Sequence, residues 1–319
     1  MTDDRFVLKD GRSIGVTTFG DPLAERLVVL CSPCPGSSDF DPDPTVTNTW
    51  GVHLVSIDRP GYGASDPWPD SAPTIQGFAD DIAERLQELA AASPDAARSK
   101  EIIPVGVVGW GYGAAVALAL AARHADLVSE VVAVDARSPK ELRDEAAAMV
   151  LDIPAARYAA DIEELAAALR SGGREPLQWL GIPEDDPGLE FPGLRNRLER
   201  MVSASPEGGM KGFASDITAA ADTGWGEDLS TIACNVTLVF NTVDERRERD
   251  ARALARRIPQ SRTVRAEGSG SVPIAGLWSD VLNVLSPDHG ELPPEVRGAW
   301  NSDRRSTREV EPSAPLQES

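Results

Sequence analysis

The feature that most restricts the fold is an alternation of short apolar runs with longer stretches of helical spacing. Val28 to Cys31 and Val52 to Ile57 are apolar runs bounded by Gly, Pro and Asp, the pattern of buried strands that run out into loops. Pro73 to Leu89 follows with Ile75, Phe78, Ile82, Leu86 and Leu89 on one helical face. Val105 to Val108 is the next strand, Gly113 to His124 an Ala-rich helix, and Val131 to Asp135 a further strand. Strands and helices taken in turn bury their apolar faces in layers, and right-handed crossovers bring successive strands parallel. The expected fold class is therefore α/β, with a mostly parallel twisted sheet flanked by helices.

From Ser138 to Asp228 the strand pattern is absent. Ala/Leu/Glu-rich helical stretches replace it, punctuated at Gly172-Gly173, Pro183 and Pro206, as expected of an inserted helical cap over residues 138–228. The sheet pattern resumes with Val236 to Phe240, a helix from about Arg247 to Arg257, a strand over Arg262 to Arg265, and an apolar helix around Ile274 to Leu285. The core thus takes residues 1–137 and 229–286. Pro287 to Ser319, rich in Pro, Glu, Arg and Ser, has little to bury and is expected to be a disordered tail.

A formal net charge of -20 over 319 residues repels phosphate backbones and anionic headgroups, which excludes nucleic acid as the expected partner. No stretch reaches the length of a membrane span, Met1 to Val7 is acidic without an apolar core, and the three cysteines are odd in number. The expectation is a cytoplasmic protein that does not engage membranes.

Four separated segments resemble the α/β-hydrolase family, in the order that fold requires. Asp58-Arg59-Pro60-Gly61-Tyr62-Gly63-Ala64-Ser65-Asp66 is similar to the family's loop after its fourth strand. Cys31-Ser32-Pro33-Cys34-Pro35-Gly36-Ser37 stands where the family has its oxyanion loop, with only the Pro-Gly half kept; the resemblance makes the Cys34 N–H a donor of that hole. Gly109-Trp110-Gly111-Tyr112-Gly113, after a strand and before a helix, resembles the nucleophile elbow Gly-x-Ser-x-Gly, with Gly111 in the serine's place. The resemblance also puts the family's acid at Asp244 and its histidine at Ser271.

Glycine tolerates the strained turn of the elbow but offers no hydroxyl, thiol or carboxylate, and serine is no neutral-pH base. Of the three histidines, His53 opens a strand, His124 ends a helix and His289 lies in the expected tail. The triad is read as degenerate, at Gly111, Asp244 and Ser271, and the protein as a pseudoenzyme that binds a small molecule in a retained pocket, without cofactor or metal. Ser32, Cys34, Trp110 and Tyr112 are expected at the pocket floor, Trp110 being equally compatible with packing. Asp135, at a strand end, would face the same pocket, and with Asp244 would favour a basic or hydroxyl-bearing ligand.

Several alternatives stay open. Asp244 suits a helix cap paired with Arg246 or Arg247. A lyase, isomerase or cyclase would use the same pocket, as would a hydrolase with its nucleophile moved to Ser32, Ser37 or Cys34. Cys31-x-x-Cys34 has thiol-redox spacing, against which stand the Pro35-Gly36 that follows and the acidic surroundings. Gly109-x-Gly111-x-x-Ala114 fits a dinucleotide fingerprint locally, but leaves the Asp58 loop, the helical insertion and Asp244 unexplained.

Overall fold

A computed structural model describes residues 3–24, 26–68, 73–92, 104–151, 153–159, 161–203, 210–221 and 225–286. The expected tail and His289 lie outside them. An eight-stranded sheet runs in the order β1-β2-β4-β3-β5-β6-β7-β8, where β1 is Asp3–Val7, β2 Ser13–Gly20, β3 Leu27–Cys31, β4 His53–Ile57, β5 Val105–Trp110, β6 Val128–Val134, β7 Asn235–Asn241 and β8 Ser261–Ala266. From β4 onward every pairing is parallel, whereas β1 and β2 form an antiparallel hairpin that joins the edge through β4. The α/β architecture expected from the alternation of apolar runs is the one observed.

Helices α1 (Pro44–Trp50), α2 (Ile75–Ala92) and α3 (Tyr112–Arg123) belong to the first half of the sheet. Central β5 is buried along its whole length, and α3 is buried from Tyr112 to Ala121, so this strand–helix unit is held from all sides. Gly113 makes that packing possible: a Cβ there would stand 2.0 Å from the Cys31 carbonyl oxygen.

Between β6 and β7 the chain forms helices α4 (Pro139–Val150), α5 (Ile162–Ser171), α6 (Pro176–Trp179), α7 (Leu194–Ser203) and α8 (Lys211–Ala220), and among the described residues no strand. After β7 come α9 (Glu245–Ala255), α10 (Pro273–Gly276) and α11 (Trp278–Leu285). The single apolar helix expected over Ile274 to Leu285 is interrupted at Leu277, the residue that ends α10 and caps α11.

The inserted helices are fastened to the loops that follow β3 and β4. Ser37 N–H donates to the Met201 carbonyl of α7 at 3.2 Å, and Arg200 reaches Asp39 at 2.7 Å. Asp216 of α8 pairs with Arg59 at 2.9 Å, both side chains almost fully buried. The α8 backbone comes close enough at Gly212 that a Cβ would meet the Tyr62 ring at 2.4 Å.

Candidate functional site

Strand β5 ends at Trp110, and the chain turns into α3 through Gly111 with φ 57° and ψ -116°. The turn is fixed from both sides, since Gly111 N–H donates to the Val134 carbonyl at 2.9 Å and its own carbonyl accepts from Ala114 at 3.1 Å. This is backbone that a side chain rarely adopts. The space is nonetheless open: a Cβ at Gly111 would meet nothing nearer than Pro33 Cβ, at 3.9 Å.

The Cys31–Ser38 loop beside the turn is shaped by Arg59. Its Nη1 donates to the Ser32 carbonyl at 2.7 Å, and its Nη2 to the carbonyls of Pro33 and Gly36 at 2.7 and 3.0 Å. The remaining donor, Nε, lies 3.1 and 2.9 Å from the two oxygens of Asp216, which also accepts from the Tyr62 hydroxyl at 2.6 Å. The planar fork of a guanidinium suits such multiple recognition. Burial opposes the Arg59 charge, but Asp216 and the groups around it outweigh burial and raise its pKa. For Asp216 burial prevails over Arg59 and Tyr62 and moves the carboxyl up.

Beneath the inserted helices, at the C-terminal ends of β3, β5, β6 and β7, lies a cavity of about 320 Å³. Of the expected site residues it gathers Cys34, Trp110, Gly111, Tyr112, Asp135, Asp244 and Ser271. Ser32 is the exception and corrects the expected floor: it is buried outside the lining, its Oγ 3.5 Å from Ser56 Oγ and its carbonyl accepting from Arg59. Ser37 is likewise committed, donating from Oγ to the Met201 carbonyl at 3.0 Å.

Asp244 caps α9, accepting the Arg246 N–H at 2.9 Å while the Arg246 guanidinium approaches both its oxygens. Burial would raise its pKa, but these bonds outweigh it and hold the carboxyl below its usual range. Ser271 N–H lies 3.1 and 2.9 Å from the two oxygens of Asp186, a buried residue of the inserted segment that the sequence reading did not mark. Asp135 is buried at the end of β6 with φ 50°; its oxygens accept from Asn241 N–H at 2.8 Å and Asn241 Nδ2 at 2.7 Å.

Among the described residues no imidazole reaches the cavity. His53 starts β4, at the end of the sheet away from it, and His124 follows α3 and pairs with Asp80 at 2.7 Å. Both thiols of the Cys31-x-x-Cys34 pair are free and buried. Burial pushes Cys31 up to about 12, and burial together with the Asp216 charge raises Cys34 well above its ordinary value. Neither is the exposed, low-pKa thiol that redox exchange uses. No described group of three or more His, Cys, Asp or Glu side chains is gathered as a metal ion needs.

Asp216 is the central residue that the sequence reading missed. Its signal was a carboxylate on the apolar face of α8, between Phe213 and Ile217; a buried charge of that kind demands a partner, and Arg59 supplies it.

The model of the Alpha/beta hydrolase family matches residues 28–278, which takes in the turn, the inserted helices and the Ser271 loop. The chain belongs to the α/β-hydrolase family. With that assignment the dinucleotide alternative is set aside. Over 138 residues the chain is 36% identical to the pimeloyl-[acyl-carrier protein] methyl ester esterase of Chromobacterium violaceum, covering 41% of this chain and 44% of that protein. The match thus spans less than half of this relative. An esterase from Exiguobacterium antarcticum shares the fold with a TM-score of 0.63, at 18% identity over 90% of this chain and 99% of its own. The enol-lactonase of Burkholderia xenovorans has a TM-score of 0.60 at 17% identity, again over 90% and 99%.

Proposed function

We propose that this α/β-hydrolase has given up ester hydrolysis and binds a small molecule in the cavity between its sheet and its inserted helices, which act as a cap. One observation carries the reading: the residue at the elbow is Gly111, in the backbone conformation of a nucleophile and with room for a side chain, yet with no group to attack a carbonyl. The surroundings support it. Ser271 stands where the resemblance expects the base, Asp244 is held by Arg246, and Cys34 is a buried thiol of raised pKa. Removing one triad member leaves a serine hydrolase only the modest acceleration of its oxyanion hole and binding.

The test has two readouts. Native protein exposed to a fluorophosphonate should gain no covalent adduct by intact-mass spectrometry, and native mass spectrometry of the protein from its own source should reveal a bound small molecule. An adduct on any cavity residue contradicts the first half of the proposal, and a cavity that is always empty contradicts the second.

The names of the relatives favour a second reading, a hydrolase with a relocated nucleophile. Among the described residues Cys34 is the one thiol that lines the cavity, and the carboxylate bonded to it is Asp216, already bonded to Arg59 and Tyr62. A non-hydrolytic enzyme, such as a lyase, isomerase or cyclase, would use the same cavity and would be recognised by a product formed from a candidate substrate.

A further inference from the structure

Of the four described carboxylates that line the cavity, Glu145, Asp216 and Asp244 stand in ion pairs and Asp135 does not. Asp244 has Arg246 at 2.9 Å, Asp216 has Arg59 at 2.9 Å, and Glu145 has Arg137 and Arg247 at 3.2 Å each. Arg137 also serves Asp250 at 2.9 Å and stands 3.7 Å from Glu141, which has Lys140 at 3.4 Å. Arg247 Nη1 donates to the Asp135 backbone carbonyl, at 3.4 Å, and not to the carboxylate, while its Nε is buried without a hydrogen-bond partner. Among the described residues, no cationic nitrogen lies within ion-pair distance of the Asp135 side chain.

Asp135 is also rigidly aimed. It is 3% exposed, both oxygens are held by Asn241, and its N–H donates to the Val239 carbonyl at 2.7 Å. Each oxygen keeps a lone pair beyond the one that Asn241 occupies. Opposite, Leu142, Ala146, Met149, Ile217 and Ala220 form an apolar wall from α4 and α8. Burial opposes the Asp135 charge; Arg247 and Arg137 act on it only from beyond ion-pair distance, so a cation that enters the cavity would be the first to meet it in contact.

We infer that the cavity takes a small amine, its ammonium group paired with Asp135 and its apolar body against the inserted helices. The inference rests on the cavity being a ligand site, as proposed above, and names the class of ligand. It narrows the expectation drawn from two carboxylates, because Asp244 already has Arg246. The volume, about 320 Å³, stands at the small end of the roughly 300–1,000 Å³ usual for ligand pockets.

Benzylamine, benzyl alcohol and benzoate, titrated near neutral pH into the ¹⁵N-labelled full chain, share a ring and differ in head charge. Benzylamine should move the signals of Gly111 and the Trp110 indole, and should bind about tenfold more tightly than either other compound, as a charge-assisted bond exceeds a neutral one. Asp135→Asn should abolish its advantage over benzyl alcohol; the comparison of the three probes on the unaltered protein stands even where that variant fails to fold. Benzoate binding as tightly as benzylamine, or benzyl alcohol equalling it, overturns the amine while leaving the cavity a ligand site. Failure of all three to move Gly111 and Trp110 contradicts the inference and weighs against the ligand-site reading as well.

Discussion

At Gly111 the neighbouring strand dictates a backbone conformation, and the side chain has to accept it. With φ 57° imposed by the bond to Val134 and open space above, Gly111→Ala should cost about 1–3 kcal/mol, all of it backbone strain. Gly113→Ala, whose Cβ would stand 2.0 Å from the Cys31 carbonyl, should cost more through displaced backbone, and urea unfolding of the two variants measures the difference. Cys34, buried and of raised pKa, should resist a maleimide in the native protein and react once the chain is unfolded. Much of the site was legible at this scale. Gly111, Asp244 and Ser271, which follow strands within recognisable motifs, do line one cavity, and the cap role of Asp244 follows from a carboxylate just before a helix. Asp186 and Asp216 were not, because their partners lie far away in sequence: Ser271 is 85 residues from Asp186, and Arg59 is 157 from Asp216.

Among the elements, α8 lines the cavity beside α4, and a buried ion pair secures it. Removing one partner leaves the other charged and buried, so Asp216→Ala should lose roughly 3–5 kcal/mol in urea unfolding, more than truncation of an exposed ion pair. A second buried carboxylate makes an opposite kind of contribution. Asp41, ahead of α1, accepts from Thr47 Oγ1 at 2.8 Å, and burial pushes its pKa up to about 6. A carboxyl raised in the folded state contributes stability while it is protonated, and that contribution is lost as pH rises from its unfolded value through 6. The stability of Asp41→Asn relative to the unaltered protein should therefore increase between about pH 4 and pH 7, as followed by denaturation at a series of pH values. The buried strands β3 to β7 were legible because they are apolar runs. The β1–β2 hairpin was not, since Arg5, Ser13, Thr17 and Thr18 interrupt its apolar residues, and α1 was hidden by the β-branched, polar sequence Pro44–Trp50.

Over the whole molecule, family membership rests on the match across residues 28–278, whereas the proposed loss of hydrolysis rests on two positions, Gly111 and Ser271, where the resemblance expects a nucleophile and a base. A net charge of -20 adds a further restriction, since it opposes association with polyanionic partners and leaves a neutral or cationic ligand the better match. The most direct measurement of the central claim is the rate at which the purified full chain hydrolyses a short-chain p-nitrophenyl ester. The account predicts a rate no higher than that of the heat-unfolded protein. Saturable turnover that disappears when Ala146→Trp fills the cavity would contradict it.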